Sequence, residues 1–185
     1  MSRGAIARIV DRIDLLVAWI GNLISWLALA LVVLVAANVL ARYLLSAGTV
    51  ALQELEWHLM AVLALVGLSY GINRGEQVRV DMLYARFSLR TKAIVDAASA
   101  IMITAIALIM IKLSIGYVGQ SFALKEGSPD PGGLPYRFLL KSLLPFGFAL
   151  LAAQGVVELG KAIRKLGFAG NVHREGEPSG TSHGE

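Results

Sequence analysis

The residues best suited to chemistry in this chain stand together in "QELEWH", Gln53 to His58, where two carboxylates and an imidazole surround a tryptophan. Glu54 and His58 are four apart and share a helix face, while Glu56 points nearly opposite. Carboxylates inside a membrane mark ion and proton pathways, so a cation or proton site is one reading. Interfacial ion pairing or partner contact is the other, because Trp57 is a typical headgroup-level anchor. Arg42, a little upstream, is an available partner for one of the two carboxylates.

Little else offers reactivity. Walker A, GxSxG and HExxH patterns are absent. The chain has no cysteine, which removes disulfides, thiol redox chemistry and Cys-based metal sites. Of its three histidines, His173 and His183 lie in a polar C-terminal stretch, leaving only His58 near apolar sequence. No metal, haem or other cofactor is therefore expected, and no enzymatic role. Lys112 interrupts an apolar run, and snorkelling into headgroups or an interhelical ion pair accounts for it better than transport chemistry.

These groups must be held by apolar elements. The chain of 185 residues is 56% hydrophobic and only 16% charged, with a mean hydropathy of +0.66. A globular domain carries about 25% charged residues, so the polar surface is too small for a water-facing shell. Four apolar stretches approach or exceed the ~20 helical residues that cross a bilayer: about 15–40, 55–72, 93–119 and 139–160. Nothing resembles the alternating segments of a membrane barrel. The fold class is all-α, with four membrane spans forming a domain over 15–166. The first run is far longer than the ~7–15 residues of a signal-peptide core, so it reads as an uncleaved span.

Basic residues orient the spans. Arg3, Arg8, Arg12, Arg74, Arg79, Arg86, Arg90, Lys92, Lys161, Arg164, Lys165 and Arg174 fall on one side. Arg42, Lys125, Arg137 and Lys141 fall on the other. The positive-inside rule then places both termini in the cytoplasm. This clustering between apolar runs also explains the net charge of +4 without nucleic acid.

The connecting segments differ in kind. Residues 1–14 carry an apolar stripe, Ile6, Ile9, Val10 and Ile13, and predict an interfacial amphipathic helix leading into the first span. The segment "INRGEQVRVDMLYARF", residues 72–87, repeats that character. Gly75 permits a sharp exit from the second span. Val80, Leu83, Tyr84 and Phe87 then form a short lipid-facing stripe, with Asp81 as its N-cap, and Ser88 caps the third span. Its basic residues favour anionic lipid. On the opposite side, "KEGSPDPGGLPYRF" holds Pro129, Pro131 and Pro135 among glycines and predicts a stiff, turn-rich loop, either a docking surface or a connector. Gly67 and Gly71 form a GxxxG pair, and Ala93, Ala97, Ala100, Thr104 and Ala107 make a small-residue stripe. Either serves close packing within the bundle or against another subunit. Residues 167–185 lack an apolar pattern and predict a disordered tail.

In order and spacing these segments resemble the small permease subunit of tripartite ATP-independent periplasmic (TRAP) transporters, the DctQ-like family. The likeness covers roughly residues 15–165. It rests on "QELEW", on "ALVGLSYGINRGEQ", on "RGEQVRVDML", which is similar to a G-x-H/Q-V-R-V-D signature, and on "SPDPGGLPYRFLLKSLLPFGFALLAAQ". His is common where Gln77 stands. The resemblance implies a bacterial inner-membrane scaffold for a large DctM-like permease, in ion-gradient-driven uptake of an organic acid. A DctP-like periplasmic binding protein would deliver the substrate. Val78, Arg79 and Asp81 would stabilise a cytoplasmic interfacial arm, and this subunit itself would bind no substrate. A self-sufficient four-span exporter with Glu54 or Glu56 as coupling carboxylate is the alternative; such exporters place an essential carboxylate mid-span, whereas these stand at an edge.

Overall fold

The computed structural model describes residues 3–46, 48–76 and 84–175, with side chains described over 8–46, 48–76 and 84–167. Four long helices alternate in direction: α1 (Arg3–Leu45), α2 (Val50–Asn73), α3 (Leu89–Ala123) and α4 (Arg137–Glu175). All four are long and apolar enough to cross a membrane. Contacts tie the start of α1 to the ends of α2 and α4, and the start of α2 to the loop between α3 and α4. One end of the bundle therefore carries the described chain ends, and the other carries the 124–136 loop.

The helices outrun the predicted spans. At 43 residues, α1 is about 65 Å long, twice the ~30 Å hydrocarbon core. The opening segment, expected as an interfacial helix leading into the first span, is continuous with that span in α1 from Arg3 onward. No proline or break-forming pair lies between Arg8 and Leu15, so the amphipathic stripe simply continues into the span. At the other terminus, α4 runs past Gly167 to Glu175, beyond the predicted start of a disordered tail. The first proline after it is Pro178, and two isolated glycines cost only about 1 kcal/mol each. Residues 176–185 lie outside the described chain.

The cores of α3 and α4 lie against each other in the most extensive helix pair. On α3 the buried residues are Ala93, Ala100, Ala107, Ser114 and Ser121, a strict seven-residue repeat. That period matches the left-handed seam of a coiled coil, and small residues let the two backbones approach closely in lipid. A Cβ on Gly155 of α4 would sit 2.4 Å from Thr104 Oγ1, so only glycine fits there. Ala97 lies half-exposed beside this seam, which the heptad rows explain: positions 93, 100 and 107 point inward together.

Elsewhere the contacts are local. Tyr70 of α2 lies against Gly21 of α1, where a Cβ would fall 2.1 Å from its ring. Gly147 of α4 admits Leu65 of α2 in the same way, at 2.6 Å. By contrast, Gly67 and Gly71 have open space beside them. The GxxxG pair of α2 does not pack inside this bundle.

Helix starts follow local chemistry. Thr49 caps α2 by accepting from the Leu52 N–H at 3.4 Å. Ser88 caps α3 by accepting from the Thr91 N–H at 3.1 Å, as its position before an apolar run predicts. Pro145 stands inside α4, in the third turn after Arg137.

Candidate functional site

At the loop end, Glu54 is almost fully buried although it stands in the second turn of α2. Its carboxylate accepts a hydrogen bond from the Ser128 hydroxyl and another from the Leu134 N–H at 2.6 Å. One α2 side chain thus holds both arms of the loop between α3 and α4. The loop is shaped to meet it. The Gly133 N–H bonds to the Asp130 carbonyl at 3.0 Å, closing a four-residue turn. Pro131 and Gly132 occupy its central positions, and Gly132 has φ +79°, the combination that a type II turn favours. Ser128 N–H then reaches the Leu134 carbonyl at 3.2 Å, pairing the two arms. A Cβ on Gly133 would lie 2.3 Å from Ser128 Oγ and 2.9 Å from Glu54 Oε2. Pro129, Pro131 and Pro135 stay exposed on the outer side.

Beside this staple is a second one. Glu126, just past α3, accepts from Ser121 Oγ at 2.7 Å and pairs with Lys141 of α4. The Lys141 ammonium also lies 4.1 Å from the centre of the Tyr117 ring, a cation–π arrangement. These bonds, Lys141 first, hold the Glu126 carboxyl below the usual carboxylate range. Glu56 faces the other way and accepts from Asn38 Nδ2 of α1 at 2.8 Å. His58 Nδ1–H donates to the Glu54 backbone carbonyl at 2.6 Å and not to its carboxylate. Arg42 forms no ion pair with Glu54 or Glu56, against expectation: the loop and Asn38 take both carboxylates first. Its side chain lies alongside Gly48.

At the opposite end, a polar knot joins three helices. Asp14 of α1 accepts from Asn73 Nδ2 of α2 at 2.7 Å and from Gln154 Nε2 of α4 at 3.2 Å. Lys161 bridges Asp14 at 2.9 Å and Glu158 at 3.0 Å. Gln154 is fully buried and also donates to Glu158 at 3.1 Å. Two further pairs, Lys165 with Asp96 at 3.1 Å and Arg164 with Asp11 at 3.6 Å, lie outside it. Motif reading does not find this knot. The available signal was three ionisable residues at the edges of apolar runs. Among the described residues, no group of three His, Asp or Glu side chains could hold a metal ion.

Residues 31–165 match the family model described as tripartite ATP-independent periplasmic transporters, DctQ component. The chain belongs to the DctQ family. No curated protein matches it. The four long apolar helices are those of a multi-pass membrane component of such a transporter.

Within this DctQ chain, the predicted site residues fall into separate places. Glu54, Pro129, Pro131 and Pro135 meet at the loop staple. Glu56 and His58 flank it without joining it, and Gly67 and Gly71 face outward. Gly75, with φ +77°, turns the chain after α2. Val78, Arg79, Asp81 and Leu83 lie outside the described residues. Just beyond them, Tyr84 packs edge-on against Phe87 and donates its hydroxyl to Asp96 of α3 at 2.9 Å. Lys112 is exposed on α3, with no ion-pair partner among the described residues.

Proposed function

We propose that this chain is the non-catalytic scaffold of a TRAP transporter, holding a large DctM-like permease while an ion gradient, usually Na⁺, drives uptake of an organic acid. The observation that carries this reading is how the bundle uses its polar groups. Asp14, Glu54, Glu56 and Glu126 each tie one helix or loop to another, while long apolar faces are left outward. Leu15, Trp19, Trp26, Leu29 and Val33 of α1 recur at helical spacing and are all more than half exposed. Such a surface suits lipid and a large membrane partner, and the open Gly67–Gly71 face of α2 suits close helix approach. The stapled loop supports a docking role toward a DctP-like periplasmic binding protein, because a surface fixed in advance loses little entropy on binding. The clustering of basic residues supports an inner-membrane orientation with both termini cytoplasmic.

An exporter reading would need Glu54 or Glu56 free to exchange protons with a pathway. Both already accept internal hydrogen bonds, and Glu54 has two.

Reconstitution tests the scaffold. Proteoliposomes holding this chain alone should accumulate no organic acid on a Na⁺ gradient. Those that also hold the large permease and are supplied with the binding protein should accumulate it. Uptake by this chain alone would overturn the reading.

A further inference from the structure

A cavity of about 330 Å³ opens at the loop end between α2, α3 and α4. That volume lies within the ~300–1,000 Å³ of ligand pockets. Its wall is divided by depth. Arg137, Lys141, Glu126 and Tyr117 form its polar part at the loop-side mouth, and Leu140, Leu144, Ala61 and Leu65 form its apolar part, with Leu144 one turn farther along α4 than Lys141. Along α4, Arg137, Lys141 and Leu144 descend roughly one turn at a time toward the membrane centre. One turn beyond Leu144, Leu65 packs closely against Gly147.

The charges at the mouth are not equally committed. Glu126 and Lys141 pair with each other, and Lys141 also covers Tyr117. Glu54 is engaged by Ser128 and Leu134 and does not line the cavity. The Arg137 N–H bonds to the Glu126 carbonyl at 3.0 Å. Arg137 is half-buried, and its guanidinium makes no hydrogen bond or ion pair among the described residues, although its charge acts on the nearby Glu54 and Glu126 carboxylates. The lining therefore carries a net positive charge, offered by a planar five-donor group that suits a phosphate oxygen pair.

We propose that this cavity binds a phospholipid with a net-negative headgroup from the loop-side leaflet. The phosphodiester sits on Arg137, and the first part of one acyl chain lies between Leu140, Leu144, Ala61 and Leu65. Charge complementarity favours a lipid of net charge −1 over a zwitterionic one. The apolar inner wall favours a lipid over a free phosphate, which could use only the mouth. Since the site uses the bundle's own helices, it does not depend on the scaffold reading.

Native mass spectrometry of the full-length chain, released from detergent with added lipids, tests this. One dioleoyl phosphatidylglycerol should be retained at least about tenfold over dioleoyl phosphatidylcholine. Arg137→Gln should lose most of that preference, and Arg137→Lys should keep part of it. Leu144→Trp, which fills the inner cavity without touching the mouth, should lower retention too. Helicity measured on each variant checks folding, and if Arg137→Gln fails to fold, the Lys and Trp variants decide. Equal retention of both lipids would overturn the proposal and leave Arg137 for an acidic group of a protein partner. Displacement of the lipid by glycerol phosphate at equal concentration would also overturn it, in favour of a free-anion site.

Discussion

Single side chains in this bundle carry more than their neighbours because each has several partners. Glu126 holds Ser121, Lys141 and, through its carbonyl, the start of α4. Its carboxyl is held below the usual range mainly by the Lys141 bond. A lowered native pKa means the unfolded state binds the proton more readily. The contribution is therefore complete above the unfolded value of roughly 4.3 and disappears as pH falls through the folded one. Thermal unfolding in detergent should show stability dropping as pH falls below about 4.5. Glu126→Gln should be less stable near neutrality and should flatten that part of the curve; an unchanged acid dependence would mean other carboxylates carry it. The sequence put Glu54 forward for chemistry, and its position did stand out. Its real partners, Ser128 and Leu134, are 74 and 80 residues away. No periodicity encodes a pairing of that kind.

At the scale of helices, legibility depended on the length of the signal. Apolar runs of ~20 residues identify spans reliably, and all four became helices. Their ends did not follow, because hydropathy stops at the membrane while backbone hydrogen bonding continues into water. The stripe on α3 was visible only in part. Small residues at Ala93, Ala97, Ala100, Thr104 and Ala107 suggested a broad face, whereas the buried residues form the narrower row from Ala93 through Ala107 to Ser121, with Thr104 beside it against Gly155. Ser114 and Ser121 were missed because a serine in an apolar run reads as a polar interruption. The Ser114 hydroxyl instead donates a hydrogen bond to the Met110 carbonyl at 2.5 Å. Enlarging this seam should be costly: Ala107→Leu should destabilise the bundle by about 1–3 kcal/mol. Ile109→Ala, on the outward face, should change stability by no more than ~0.5 kcal/mol. Denaturant titration of the two variants compares them directly, and equal effects would mean α3 and α4 are held elsewhere.

For the molecule as a whole, family membership was readable because it rests on the order of several short motifs, and order survives without any coordinates. Orientation is a separate matter that charge addresses and packing does not. The chain has no cysteine, so single introduced thiols report without background. Asp130→Cys, exposed in the stapled loop, should react with a membrane-impermeant maleimide in intact cells whose outer membrane has been opened. Arg90→Cys, exposed at the start of α3, should react only after lysis. The reverse pattern would invert the proposed topology.

The long sequence separation of the two polar ties also sets a timetable. A ribosome adds about 5–20 residues per second. Glu54 is made 74 residues before Ser128, and so waits some ~4–15 s for its partner. Asp14 precedes Lys161 by 147 residues and waits about twice as long. During those seconds Glu54 is a charge without its native contacts and Asp14 has only Asn73, made 59 residues after it, on a chain already entering the bilayer. Both stand at the edges of apolar runs, where water and headgroups can solvate them until the last helix arrives. Midway along a span, the same delay would leave a bare ion in hydrocarbon.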